Sequence, residues 1–293
     1  MKRVIFVLIV GLCLYKSVYA DYIVKLNTDV TKFDDTKIEC ILNDWFLVDS
    51  LDNLDIAYVQ DNYTYKACEF LSISAKKPII LTNTDMSKIQ TMEPKSNTKI
   101  AILDTGIDET NGTLRKYVAK SYNPQNKDDN VQDECGHGTH IAGIITNLSN
   151  NKIMPVKVLN GNGTGKSSDI AIGIKWAVEE GAKVINLSLG GTKYDQLLKE
   201  AIDYATERGC IVVCASGNTY SERKIYPACL PNAISVGSID KDGNISNFSN
   251  RGDSVDVYAL GDVISFGLNG EYIEKSGTSM ACAIISAELS LIF

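Results

Sequence analysis

Lys99-Ile100-Ala101-Ile102-Leu103-Asp104-Thr105-Gly106 is an apolar run that stops at a carboxylate and a turn. Residues 100–103 are apolar without interruption, the pattern of a strand covered on both faces rather than one. Downstream, strand-like runs rich in apolar residues recur at residues 154–159, 184–189, 210–215 and 233–237. Helical segments stand between these runs. One opens at Gly136-His137-Gly138-Thr139-His140 and reaches Asn147. A second shows an apolar face at Ile170, Ile174, Ala177 and Val178, with Ser167-Ser168-Asp169 as cap candidates and Gly181 as its stop. A third carries Leu197, Leu198, Ala201, Ile202 and Ala205 and ends at Gly209. This alternation predicts an α/β fold, a parallel sheet with helices on both faces. Sheets of this kind collect ligands beyond the carboxyl ends of their strands, where Asp104, Ser188 and Asn218 fall.

Three short blocks along the same stretch hold an acid, a base and a nucleophile. Asp104 follows the first strand, His137 opens the first helix, and Ser279 lies in Gly277-Thr278-Ser279-Met280-Ala281. A Ser hydroxyl becomes nucleophilic when an imidazole takes its proton, and that imidazole needs a carboxylate to fix its tautomer. The chain has only two histidines, His137 and His140, so such a mechanism must use one of them. Each block also has a plainer reading. Asp-Thr-Gly is common turn chemistry, and Ser279 could simply cap the small, apolar helix predicted over residues 281–292. An aspartic dyad needs a second carboxylate facing the first, and the chain has no other Asp-Thr-Gly or Asp-Ser-Gly. A zinc site of the His-Glu-x-x-His type is excluded because no Glu accompanies the two histidines.

Two more blocks join these three: Asn186-Leu187-Ser188-Leu189-Gly190-Gly191, and Ala215-Ser216-Gly217-Asn218 at the end of a strand. Five blocks in this order, from about Lys99 onward, resemble the subtilisin-like serine proteases (peptidase S8). The resemblance implies a secreted endopeptidase acting on proteins or peptides through an acyl-enzyme, with Asp104, His137 and Ser279 as triad and Asn218 as oxyanion donor. It implies that substrate lies as an added strand between Gly163-Thr164-Gly165 and Ser188-Leu189-Gly190. Ala215, Ser216 and Gly217 would wall the first pocket. Ile225 would floor it, favouring small or medium apolar side chains. No cofactor is expected, and calcium is not assigned, because the interval between His137 and Val156 is too short for the loop that binds it in many relatives. Ala283 replaces the Pro usual after the nucleophile block. The tail after Ser279 is short, which would leave Leu289, Leu291 and Ile292 without their usual cover. An inactive secreted homologue acting as a binding protein is the alternative.

A chain of 293 residues that is 44% hydrophobic can bury a sizeable core. Its net charge of -7 gives no footing for phosphate, which excludes nucleic acid as a partner class. Lys2-Arg3, an apolar stretch over residues 4–15 and Val18-Tyr19-Ala20 read as a secretory signal, residues 1–20. The stretch is too short for stable membrane insertion. Residues 21–95, with strand-like segments at 22–26 and 56–61, read as a small α+β prodomain acting as intramolecular inhibitor, and residues 96–293 as the catalytic domain. The plainer alternative is an N-terminal subdomain kept in the mature protein.

Export favours disulfides. Of eight cysteines Cys13 leaves with the signal, so seven remain and at least one lacks an intrachain mate. Cys210 and Cys214, about 13 Å apart along a strand, cannot bridge each other. Cys135 with Cys229 and Cys40 with Cys68 are possible pairs. Glycosylation sequons stand at Asn62, Asn111, Asn147, Asn162, Asn186, Asn244 and Asn247. Asn111 and Asn147 are expected at the surface, whereas Asn162 and Asn186 are expected to be silent in the cleft.

Overall fold

The structure, a computed structural model, describes residues 22–26, 38–42, 45–48, 56–67 and 96–293. Its centre is a six-stranded sheet formed by β6 (Ser96–Asp104), β7 (Asn151–Lys157), β9 (Val184–Leu187), β11 (Ile211–Ala215), β12 (Ile234–Ile239) and β13 (Val257–Leu260). The order is β13-β12-β11-β9-β6-β7, and every neighbouring pair is parallel. The chain starts at β6, steps outward to β7, then returns to the other side of β6 and proceeds through β9 to β13. The order therefore reverses at β6, and Asp104 ends that strand at the crevice such a reversal leaves open.

Side chains of β6 alternate between two cores. Ile100 and Ile102 join one cluster with Ile141, Ile144 and Ile145 of helix α2 (His137–Ser149) and Met280 and Ala281 of α5 (Thr278–Ser290). Ala101 and Leu103 join the other with Ile170 and Ile174 of α3 (Ser167–Glu179) and Leu197 and Leu198 of α4 (Gln196–Glu207). Period-two alternation inside an all-apolar strand is what two-sided coverage requires. The helix α5 is buried from Thr278 to Ala283 and lies in the middle of its layer. Leu289 packs against that cluster, contrary to the expectation that it lacks cover, whereas Leu291, Ile292 and Phe293 are exposed. A one-turn helix α1 (Gly112–Arg115) and a hairpin of β14 (Asp262–Phe266) and β15 (Tyr272–Ser276) complete this body.

The N-terminal segment forms an antiparallel sheet in the order β2-β3-β1-β4, from β1 (Tyr22–Leu26), β2 (Ile38–Leu42), β3 (Trp45–Val48) and β4 (Ile56–Asp61). Ile23, Ile41, Leu42 and Trp45 enter the cluster shared with α3 and α4. Glu200 of α4 accepts from Lys25 Nζ at 3.1 Å and from Trp45 Nε1 at 2.6 Å. The sequence anticipates β1 and β4 at their observed bounds. The signal segment, the expected helices of the N-terminal unit and Cys68 of the Cys40–Cys68 pairing fall outside the described residues.

Several expectations are corrected. Ser167 and Ser168 lie inside α3 instead of capping it, and the amide of Ser168 donates to Asn62 Oδ1 at 3.0 Å. Asn111 and Asn147 are buried, Asn111 because it caps α1 through Thr113 N and Leu114 N, so neither presents a surface sequon. Asn162 is exposed, while Asn186 is fully buried. No disulfide joins two described cysteines, Cys135 and Cys229 included.

Candidate active site

The acid is held by the end of its own strand. Val158 N and Leu159 N both donate to the Asp104 carbonyl at 3.0 Å, and Lys157 Nζ donates to the next carbonyl, Thr105 O, at 2.7 Å. The Asp104 carboxylate is fully buried, and its Oδ1 accepts from Thr105 N and faces His137 Nδ1, each at 2.7 Å. A carboxylate can only accept, so the proton of the neutral imidazole sits on Nδ1 and Nε2 is left basic.

Helix α2 approaches this loop closely enough to demand glycine. A β-carbon on Gly138 would lie 2.2 Å from Gly106 O, and Gly138 N donates to Thr105 Oγ1 at 2.9 Å. Gly106 itself has φ +110, where a side chain would meet Val131 O at 2.2 Å. The start of α2 is fixed by Asp133, whose carboxylate accepts from Cys135 N, Gly136 N, Thr139 N and Thr139 Oγ1. Burial alone would raise the pKa of Asp133, but these hydrogen bonds outweigh it and hold the group below its ordinary value. His140, one turn on, is fully buried with Nε2 3.1 Å from Ile273 O. Burial, reinforced by the Lys275 charge, pushes its pKa down to about 3, so it stays neutral and structural.

Ser279 lies in the first turn of α5 beside the end of β9. Its Oγ donates to Ser188 O and Ser188 Oγ donates to Ser279 O, both at 3.0 Å. Asn186 anchors the pair: Nδ2 donates to Ser188 Oγ at 3.0 Å, and Oδ1 accepts from Ser286 Oγ at 2.9 Å and Cys282 Sγ at 3.3 Å. Asn218, just past β11, accepts Thr278 N on its Oδ1 at 3.0 Å, which fixes the orientation of its side-chain amide. The structure thus gathers Asp104, His137, Ser188, Asn218 and Ser279 at the carboxyl edge of three adjacent strands, β6, β9 and β11.

Beyond this edge β8 (Thr164–Lys166) and β10 (Leu189–Gly190) stand apart by the width of one strand, and the chain's own β5 (Thr64–Ala67) fills the gap. It runs antiparallel to both, pairing Tyr65 with Gly165 and Ala67 with Leu189, while Ala67 N donates to Gly163 O at 3.0 Å. Gly163, Thr164, Gly165, Leu189 and Gly190 therefore border β5. Ile225 is buried against Gly217, where a β-carbon would come within 2.8 Å of it, and Asn250 Nδ2 holds Ser216 O at 2.9 Å. The side chain of Ala215 packs in the core of the sheet, leaving Ser216 and Gly217 as the outer part of that wall. Asp133, Lys157 and Asn250 escape sequence reading, because each acts by accepting from or donating to backbone that no motif marks.

Comparison with known proteins agrees with this geometry. The sequence model of the Subtilase family matches residues 95–293, and the chain belongs to that family. Thermitase of Thermoactinomyces vulgaris is 39% identical over 209 residues, covering 67% of this chain and 75% of its own. A thermophilic serine proteinase of Bacillus sp. (strain AK1) has the same identity over 209 residues, but this chain spans only 52% of its length. Among solved structures, the crystal structure of a cold adapted subtilisin-like serine proteinase superposes with a TM-score of 0.64 at 30% identity, over 68% of this chain and 76% of that one.

Proposed function

We propose that the protein is a secreted serine endopeptidase with Asp104, His137 and Ser279 as its triad. The fully buried Asp104–His137 contact of 2.7 Å carries this reading, since it presets the tautomer that a Ser-His mechanism uses. Ser279 Oγ turns from the Ser188 carbonyl to His137 Nε2, loses its proton there and attacks the peptide carbonyl carbon. The carbonyl oxygen takes the negative charge, received by Asn218 Nδ2 and Ser279 N at the positive end of α5. His137 then protonates the departing amine, leaving an acyl-Ser279 ester that water hydrolyses by the same relay. Ile225 beneath Gly217 supports a shallow first pocket for small or medium apolar side chains. No cofactor enters this scheme.

The segment containing β1 to β5 acts as the inhibitor, with β5 lying where substrate backbone would lie. The inhibitory contacts therefore centre on residues 22–67, well short of residue 95. Residues 1–20 direct export, and no helix among the described residues is long and apolar enough to cross a membrane.

A fluorophosphonate probe tests the reading. Label on Ser279, with casein hydrolysis abolished by Ser279→Ala, is expected. Absence of label together with absence of hydrolysis would favour a binding protein without catalysis.

A further inference from the structure

Strand β5 presents Tyr65 to a chamber that the catalytic scheme does not use. The side chain is 1% exposed and belongs to the same buried cluster as Leu189 and Leu197. Its ring lies against Gly191, where a β-carbon would stand 3.2 Å from the ring edge. At the end of the chamber is a carboxylate. Tyr65 donates its phenol to Asp195 Oδ2 at 3.2 Å, and Asp195 is itself only 1% exposed. The other oxygen, Oδ1, accepts from Leu198 N at 3.0 Å, because Asp195 is the N-cap of α4, and from Gln60 Nε2 at 2.8 Å.

Two of these donors, Tyr65 and Gln60, belong to the segment that occupies the cleft. When that segment gives way to a substrate, Asp195 stays in place, since its helix cap belongs to the enzyme body. The Asp195 carboxylate then faces the space that the Tyr65 ring fills beside Gly191 and Leu189. A phenylalanine there would leave Asp195 only the donors of the enzyme body, Leu198 N and the Ser167 side chain, whereas a phenol restores the bond that Tyr65 makes. Sites built to hydrogen-bond a substrate hydroxyl discriminate strongly against the analogue that lacks it.

We infer that Asp195 is a specificity-determining residue, selecting a tyrosine side chain by its hydroxyl at the substrate position that Tyr65 occupies, two residues before the one paired with Leu189. This inference rests on the reading of the cleft as a protease subsite, with β5 lying as a substrate does.

The test uses the full chain after self-activation, and two fluorogenic peptides carrying Thr-Tyr-Lys-Ala-Cys or Thr-Phe-Lys-Ala-Cys before the same leaving group. A carboxylate-bound phenol is expected to favour the first peptide by about 10- to 100-fold in kcat/KM, the usual range for hydrogen bonds to charged groups. Asp195→Ser keeps a capping oxygen for Leu198 N but is too short to reach the chamber. It is expected to bring the ratio of the two peptides to within about threefold of unity, with an unchanged melting temperature confirming the fold. Gly191→Ala, which narrows the chamber itself, should slow both peptides together and leave the ratio intact. Equal rates for the two peptides in the parent enzyme, or a ratio unmoved by Asp195→Ser, would overturn the role of Asp195 while leaving the protease reading intact. Failure to cut either peptide, with no fluorophosphonate label on Ser279, would overturn both.

Discussion

The two ends of the cleft are built by opposite means. At the reactive end, Asp104, His137 and Ser279 are held by short pieces of backbone that touch almost without side chains, as Gly106 and Gly138 do at the loop-to-helix contact. At the strand-holding end, the backbone ladder of β5 is reinforced by side chains of the N-terminal segment: Gln60 and Tyr65 on Asp195, Asn62 on Ser167 and Ser168, and Lys25 and Trp45 on Glu200. The first end tolerates little change because the reacting atoms must lie within a few tenths of an ångström of their places. The second distributes its hold over separable contacts. Changes at the first should therefore act steeply on chemistry, and changes at the second should act gently, and nearly additively, on occupancy.

The largest effect is expected from Asn218→Ala. With Thr278 N orienting the amide in the parent, its loss should lower kcat by about 100- to 1,000-fold, the magnitude known for the oxyanion asparagine of subtilisin, a member of the same family. KM should change little, because the bond forms only as charge develops. Steady-state kinetics on one peptide checks this. A rise in KM at constant kcat would place Asn218 in ground-state binding and blur the contrast between the two ends.

A smaller effect separates the two histidines of α2. His140 is neutral in the folded protein, its pKa depressed to about 3 from 6.5, so between these values the unfolded chain binds a proton that the folded chain refuses. Stability should consequently fall as pH drops below about 6.5, by up to about 1.4 kcal/mol per unit from this group. His140→Gln keeps an N–H for Ile273 O and cannot titrate. In the Ser279→Ala background, which prevents self-digestion, its melting temperature should decline less between pH 7.5 and pH 5 than that of the chain retaining His140. Equal declines would remove His140 as a source of acid sensitivity.

The same division governs what could be read from the sequence. Acyl transfer restricts residue type at Asp104, His137 and Ser279, and their flanking glycines are forced by close backbone approach, so each appears as a motif. The parallel sheet was legible because strands buried on both faces must be apolar throughout, as residues 100–103 and 211–215 are. Strands β13 to β15 escaped notice because they are only half-buried at many positions and Gly261 and Gly267 interrupt their pattern. Strand β5 escaped for a stronger reason. Thr64-Tyr65-Lys66-Ala67 has no strand partner among the described residues of its own segment, and its strand pairing is with two edges some hundred residues downstream. Capping by Gln60 and Asn62 was equally invisible, since any side chain with an acceptor in reach can satisfy an N–H, and sequence proximity gives no hint of it.

These two caps offer the finest test of the contrast. Leu197 N donates to Gln60 Oε1 at 3.3 Å, and Ser168 N donates to Asn62 Oδ1 at 3.0 Å, so the segment supplies side-chain caps to both α4 and α3. Lys166, the local N-cap of α3, makes no such bond, so Asn62 serves that helix end from outside. Losing either cap should cost about 1 kcal/mol, or roughly fivefold in occupancy of the docked segment. The two helix ends are linked only through Ser167, which bonds both Asn62 and Asp195, so Gln60→Ala and Asn62→Ala together should come close to the product, about 25-fold. Hydrogen exchange at the Ser168 amide of the uncut Ser279→Ala chain reads this directly, as faster exchange in the Asn62→Ala variant. Both caps are neutral amides, so their effects should persist in high salt. That of Lys25→Ala, which breaks a half-exposed ion pair to Glu200, should shrink as the charges are screened. A strongly coupled double variant would mean that the strand-holding end behaves as one cooperative piece, and the two ends of the cleft would then differ in chemistry but not in construction.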